Sequence, residues 1–583
     1  MRFLILIILS FAVMPVAGQE NYGTLHAERV FLHTDRNTYI AGEYLFYKMY
    51  LQGNPEKTSR YAYLLIRDQN NSVVTHIRME ISNHVSFGHI LLSDTLSSGY
   101  YQVLCYTNLM RNYEENIFTM EIAIANRFDE NLIPFTEPAG KTDADKTEQA
   151  SSVHKSEKEN IHIKPERQVY NSRDKIVFSV EPDSPLSGTI ESLSVSVSEI
   201  IPGIPDDPFV SDYFDGERLS SSKSDTEENR LNHYPEYNRS VLQGKVMTGT
   251  TSVAAGKKGR SSPVKTSEKY TVLLSSADSA ANLLYSFTDS LGSFCFNLDP
   301  YYEGKDVIIK LREKADASII IDNKTSISRP FIPSLRFSVP GIKEYLIRCG
   351  QIAQVHRFYN YRITMDTLNT FVSAKIIPRI YYKHYQTILP SDFVELNDFT
   401  EISREIVPGF KVRKTRDRFV SGYSNIQYKA DPDAEPAIFL DGVPIDDVNQ
   451  IIHFSTMDIK SIETVSAIRV YGEMTFPGIL SVISSNKAVD NIEFTAPAVR
   501  FTTLSSQCFT RPEPFTPASL NRNFPDLRQV LLWEPDLRPD NNTITVIECF
   551  ASDLRGLYRI DIQGITTDGF PLHGSAVISI RPE

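Results

Sequence analysis

The chain has 583 residues, 41% of them hydrophobic and 23% charged, and a net charge of −12. That length exceeds what one hydrophobic core can hold, so several folded domains are expected, and the composition excludes a wholly disordered or collagen-like chain. The acidic balance argues against non-specific nucleic-acid binding by the whole surface.

Arg2, the apolar run from Phe3 to Val13 and the small residues of Pro15-Val16-Ala17-Gly18 have the layout of a secretory signal peptide over residues 1–18. The run is short for a membrane span, and no later segment reaches the length of a transmembrane helix. No cysteine stands near the cleavage position to take a lipid anchor, so export without a transmembrane span is the expectation. The five cysteines are odd in number and far apart, which is no disulfide framework. Cys508 and Cys549 share the C-terminal region, where pairing and simple burial are both open.

Residues 24–127 form the first expected domain. Short alternating runs such as Glu28–Asp35, Tyr44–Leu51, Ala62–Arg67 and Gly99–Thr107 are separated by turn signals, which predicts an antiparallel β-sandwich. Residues 128–160 are rich in Lys, Glu, Asp, Ser and Thr and predict a flexible linker. A second sandwich is expected over 161–205, with polar loop continuing to about 240. Its clearest strand is the strict alternation Leu193-Ser194-Val195-Ser196-Val197-Ser198. A small β-domain is expected over 241–315, closing on Thr288-Asp289-Ser290-Leu291-Gly292 as a tight turn. A helical or irregular connector follows over 316–390, with its helix over Gly341–Tyr359.

Residues 391–490 carry the most specific pattern. A helix over Asp398–Ile406 ends at Pro408-Gly409. The run Ala437–Leu440, then Asp441-Gly442, then Val443-Pro444-Ile445 predicts a tight hairpin, with Pro444 pushing its strand to a sheet edge. Ser455 and Asp458 predict an N-cap opening a short helix over Ile459 and Ile462. Strands over 466–472 and 478–484 close the unit. The last segment, 495–583, is expected to be a further sandwich, with Trp533 as a core or interface anchor.

Three resemblances follow from these residues. The phrases holding Tyr39, Gly42-Glu43, Gly99-Tyr100-Tyr101 and Thr107-Asn108 resemble the macroglobulin-type sandwich of Bacteroidota envelope proteins, and the C-terminal run through Trp533 and Ser552-Asp553 resembles a further segment of that type. Val241–Val246 and the Thr-Asp…Gly turn resemble the carboxypeptidase-regulatory-like β-domain, which implies a structural or binding module and no peptidase. The order Pro436–Pro444, Asp458–Val465 and Tyr471–Ser484 resembles the plug domain of TonB-dependent receptors. Phe476-Pro477-Gly478 departs from that family's Gly-rich approach to the last strand, and the ninety or so residues that follow are too few for its barrel. The plug resemblance singles out Leu440, Asp441, Gly442, Pro444, Ile462, Glu463, Tyr471, Gly472 and Gly478 as structural or docking residues.

The expected fold class is therefore mainly β and multidomain, with Ig/macroglobulin-like β-sandwiches plus a small α+β plug-like domain. No catalytic residue, metal site or cofactor is expected. Cys349-Gly350-Gln351-Ile352 lacks the Gln that a Cys-Gly-Glu-Gln thioester needs three positions after the Cys. His84 and His89 lack further zinc ligands, and Asp431, Asp433 and Glu435 do not complete a calcium loop. The expected function is non-enzymatic binding or assembly in the cell envelope, periplasmic or outer-membrane associated. Its expected partner is an outer-membrane barrel or complex, with no nucleic acid. A transport accessory for TonB-dependent uptake and a macroglobulin-like protease inhibitor without thioester are the alternatives.

Overall fold

The computed structural model describes residues 28–53, 57–129, 159–183, 188–201, 210, 214, 231–248, 269–331, 339–359, 363–367, 376–384, 386–426, 434–507, 509–516, 524–539 and 544–581. The expected signal peptide, most of the linker, Cys508, Asp431 and Asp433 lie outside them. The fold is mainly β and multidomain: three two-layer sandwiches and one α+β unit.

The first sandwich pairs a three-stranded sheet (Arg29–Thr34, Tyr44–Gln52, Val85–Leu91) with a larger sheet centred on Gly99–Thr107 and Tyr61–Arg67. Both central strands are buried along their whole length, because each is covered by the facing sheet and by other domains. Val210 and Phe214, inside the stretch expected to be polar loop, are fully buried in this core, and the Phe214 ring sits 6.4 Å from Phe31.

The second sandwich draws on both ends of the remaining chain. Ile190–Glu199 lies between Gly556–Thr566 and Val530–Leu537 in one five-stranded sheet. Lys175–Pro182 pairs with Thr545–Phe550 in the facing sheet. The segments expected as two sandwiches, 161–205 and 495–583, thus build one. The alternating Leu193–Ser198 strand buries both faces and needs partners on both edges, and two C-terminal strands supply them.

The third sandwich spans Val241–Thr248 to Ala317–Ile321, six residues beyond its expected end, and takes Ala498–Thr502 as an edge strand. Helix α1 (Val339–Phe358) occupies the expected connector. The α+β unit has a five-stranded sheet in the order Gln386–Ile388, Ile459–Val465, Ile479–Ser484, Ala437–Leu440, Val443–Pro444. Helix α2 (Phe399–Glu405) packs on it, capped by the Asp398 carboxylate accepting from the Glu401 N–H. The helix expected over Ile459 and Ile462 is a strand. Ser455 and Asp458 do bond, Ser455 N to Asp458 Oδ2 at 2.9 Å, but they close a turn. Ladders on both sides then claim the backbone of Ile459–Val465.

Candidate functional site

The residues singled out by the plug resemblance divide into core and seam. Leu440 and Ile462 are fully buried in the core of the α+β unit. Pro444 does stand on the edge strand of its sheet. Gly478 lies against the Tyr423 ring, whose hydroxyl donates to the Ile479 carbonyl at 2.9 Å. Glu463 accepts from the Tyr381 hydroxyl beside Arg379.

The two turns of the motif point inward, onto the third sandwich. Asp441 and Gly442 both have positive φ, 48° and 86°, as a two-residue hairpin turn requires. The buried Asp441 carboxylate accepts from Ser484 N and Oγ, both at 2.7 Å, and from Val489 N at 3.1 Å. The outer face of the turn receives Asp278 N on the Asp441 carbonyl at 2.8 Å and Asn282 N on the Gly442 carbonyl at 3.1 Å. A Cβ on Gly442 would lie 2.8 Å from the Ala280 carbonyl oxygen. The Tyr471 hydroxyl donates to the Leu283 carbonyl at 2.6 Å, and Gly472 leaves space for the Tyr285 hydroxyl, which accepts from Glu473 N. Beneath this seam the buried Lys310 ammonium pairs with Asp446, which also accepts from Thr495.

A second buried polar seam joins the first and second sandwiches. His33 Nδ1 meets Ser194 Oγ at 2.6 Å, and His33 Nε2 lies 3.3 Å from Asp561 Oδ2. His573 Nε2 approaches the other Asp561 oxygen at 3.4 Å. Burial alone would raise the Asp561 pKa, but hydrogen bonds from His33 and His573 outweigh it and hold the carboxyl well below the usual range. Burial pushes Asp35, on the same seam, up to about 6 against the opposing pull of Arg36. Burial likewise lowers Lys48 to about 7, while Asp536 and Glu534 partly support its charge. Trp533 places its ring 5.2 Å from His33 and is buried, an anchor between sandwiches as expected.

Ser194, His33 and Asp561 have the connectivity of a nucleophile, base and orienting acid. Ser194 is nevertheless 0% exposed, and the Tyr50 hydroxyl shares its Oγ at 2.7 Å. The adjoining cavity, lined by residues including His33, Asp35, Arg36, Glu199 and Arg559, holds about 50 Å³. That is space for a few waters, far below an organic ligand's needs. The cluster therefore reads as a domain seam. Sequence reasoning missed it because its members stand at 33, 194, 561 and 573, with no local spacing to connect them.

Among the described residues no group of three His, Cys, Asp or Glu is placed to hold a metal. His89 bonds Thr510 Oγ1 instead, and Glu435 accepts from Ser421. Cys349 is buried on α1 beside Gln529, and burial pushes its thiol up to about 11; Gln351 faces solvent. Cys549 is a buried thiol in the core of the second sandwich. No helix among the described residues is long and apolar enough to cross a membrane.

No protein-family model matches the chain, and no curated protein matches it. Among solved structures it is similar to Salmonella alpha-2-macroglobulin reacted with methylamine, at 9% identity and a TM-score of 0.22, over 98% of this chain. It is also similar to Escherichia coli alpha-2-macroglobulin activated by porcine elastase, at 9% identity and a TM-score of 0.24, over 95% of this chain. The chain spans 41% of the length of the Salmonella protein and 44% of the Escherichia coli one.

Proposed function

We propose that this chain is a non-enzymatic binding or assembly protein of the cell envelope, in which the sandwiches form a scaffold and the α+β unit presents a docking edge. One observation carries the reading: the conspicuous motif turns of that unit are spent on contacts within the chain, whereas its opposite edge is open and apolar. Among the described residues Gln386–Ile388 pairs on one side only. Around it Tyr382 is fully exposed, Val394 is 77% exposed, and Leu389, Phe393 and Met457 also face solvent. Such a fringe beside an unpaired strand suits a protein partner that adds backbone hydrogen bonds and fills apolar contacts. The envelope setting rests on the signal-peptide pattern and the plug resemblance. An outer-membrane barrel or complex is the proposed partner.

The test is co-purification of the tagged full chain from solubilised outer membranes of its own source. A stoichiometric membrane partner that is lost from a Tyr382→Ser, Val394→Ser variant supports the proposal. A clean monomer in both preparations refutes it.

A further inference from the structure

The α+β unit carries a basic arm in an otherwise acidic chain. Phe410–Lys414 and Phe419–Tyr423 form a two-stranded antiparallel hairpin. Its root is fixed in the core, where Phe410 and Tyr423 are buried with ring centroids 5.2 Å apart, and beside its turn Asn449 exchanges hydrogen bonds with the Phe419 backbone. Its turn is fixed as well, since both Thr415 N and Thr415 Oγ1 donate to the Arg418 carbonyl.

From the residue after the root to the turn the side chains are cationic and exposed: Lys411, Arg413, Lys414, Arg416 and Arg418 against the one carboxylate of Asp417. Arg418 reaches Glu435 at 3.4 Å; the other four form no ion pair with a described carboxylate. Among the described residues this is a concentration of cations without ion-pair partners, on a chain whose net charge is −12. The register places Lys411 opposite Gly422 and Arg413 opposite Val420. A Cβ on Gly422 would meet nothing within 4 Å, so the face between the cations is bare and open. That face holds Lys411 and Arg413, whereas Phe410, Phe419 and Tyr423 belong to the other face, together with Lys414, whose ammonium lies 5.7 Å from the Phe419 ring centroid.

We propose that this hairpin docks the protein onto an anionic lipid surface, its cations meeting phosphate-bearing headgroups. Rigid presentation lets several charges act together, and the acidic remainder is repelled, so the arm also orients the molecule. The Lys411–Arg413 face carries no stacking ring, which disfavours single-stranded nucleic acid as the occupant. The inference is independent of the partner proposed for the Gln386–Ile388 edge.

The test is co-sedimentation of the full chain with vesicles. Binding to phosphatidylglycerol vesicles, absent with phosphatidylcholine and lost in about 0.5 M NaCl, is expected. A Lys411→Ser, Arg413→Ser, Arg416→Ser variant should lose affinity on the order of a hundredfold, since each cation near an anionic surface contributes roughly fivefold. Arg416→Ser alone, at the solvent-exposed turn, should lose about fivefold and guards against misfolding of the triple variant. A Lys164→Ser, Lys175→Ser, Lys245→Ser control removes equal charge from exposed sites elsewhere and should keep binding. Equal loss in the control, equal binding to phosphatidylcholine, or no binding at all overturns the proposal. So does displacement by inorganic phosphate at matched ionic strength, which would mark a small-ion site, or by an oligothymidylate, which would mark nucleic acid.

Discussion

Gly442→Ala should uncouple the α+β unit from the third sandwich. The residue sits at φ +86°, where an L side chain costs about 1–2 kcal/mol. Its new Cβ would meet the Ala280 carbonyl oxygen at 2.8 Å and Asn282 Nδ2 at 2.9 Å, and the former is backbone that cannot swing aside. The turn must then withdraw, breaking the bonds from Asp278 N and Asn282 N, each contributing about 1 kcal/mol. The expected loss is about 3–4 kcal/mol, localised to this seam. Hydrogen exchange should show the Asp278 and Asn282 amides losing protection before the strands Ile459–Val465 and Ile479–Ser484 do. Gly422→Ala is the control: its Cβ enters open space, and stability should stay within about 1 kcal/mol of the parent. Unchanged protection at Asp278 and Asn282 in Gly442→Ala, with an unchanged denaturation midpoint, would refute the reasoning.

Two further outcomes are expected. Burial lowers the Lys48 pKa in the folded state to about 7, below the ordinary 10.5, so the unfolded chain binds more protons between those values and stability rises with pH across that window. Lys48→Met should therefore stabilise the protein by on the order of 2–4 kcal/mol at pH 7, with the gain shrinking towards pH 10, as urea midpoints of both proteins will show. Asp446→Ala leaves the buried Lys310 ammonium without its partner and should cost about 3–5 kcal/mol in thermal or urea unfolding; adding Lys310→Met should recover much of that, and no recovery would argue against an ion-pair origin.

What the sequence discloses here is local. Asp441-Gly442 is legible as a hairpin because its turn chemistry is written in two adjacent residues, and Asp398 opens α2 as a cap whose carboxylate accepts from the Glu401 N–H three residues on. Leu193–Ser198 is legible as a strand from its alternation, but nothing in that alternation says that its neighbours are Val530–Leu537 and Gly556–Thr566. Ser455 and Asp458 make the local bond that the sequence pattern anticipates, yet pairing on both sides turns the following residues into a strand. The His33–Asp561–His573 seam was illegible for the same reason as the strand pairing: its chemistry exists only after domains meet. Val210 and Phe214 show the reverse error, since a polar neighbourhood concealed two residues that a different domain buries.

The interleaved second sandwich has a consequence for how the protein is made. During synthesis Ile190–Glu199 emerges with both edges unpaired, and its partners appear only after residue 530. At roughly 5–20 residues per second the ribosome needs on the order of half a minute, or somewhat longer, to deliver them. The third sandwich and the α+β unit, whose elements lie in between, can fold in that interval and hold the two halves near each other. Until then a strand with one apolar face and free hydrogen-bonding edges is open to other chains. A slowed or stalled ribosome would therefore put this one strand, rather than the sandwiches that close earlier, at the greatest risk of aggregation.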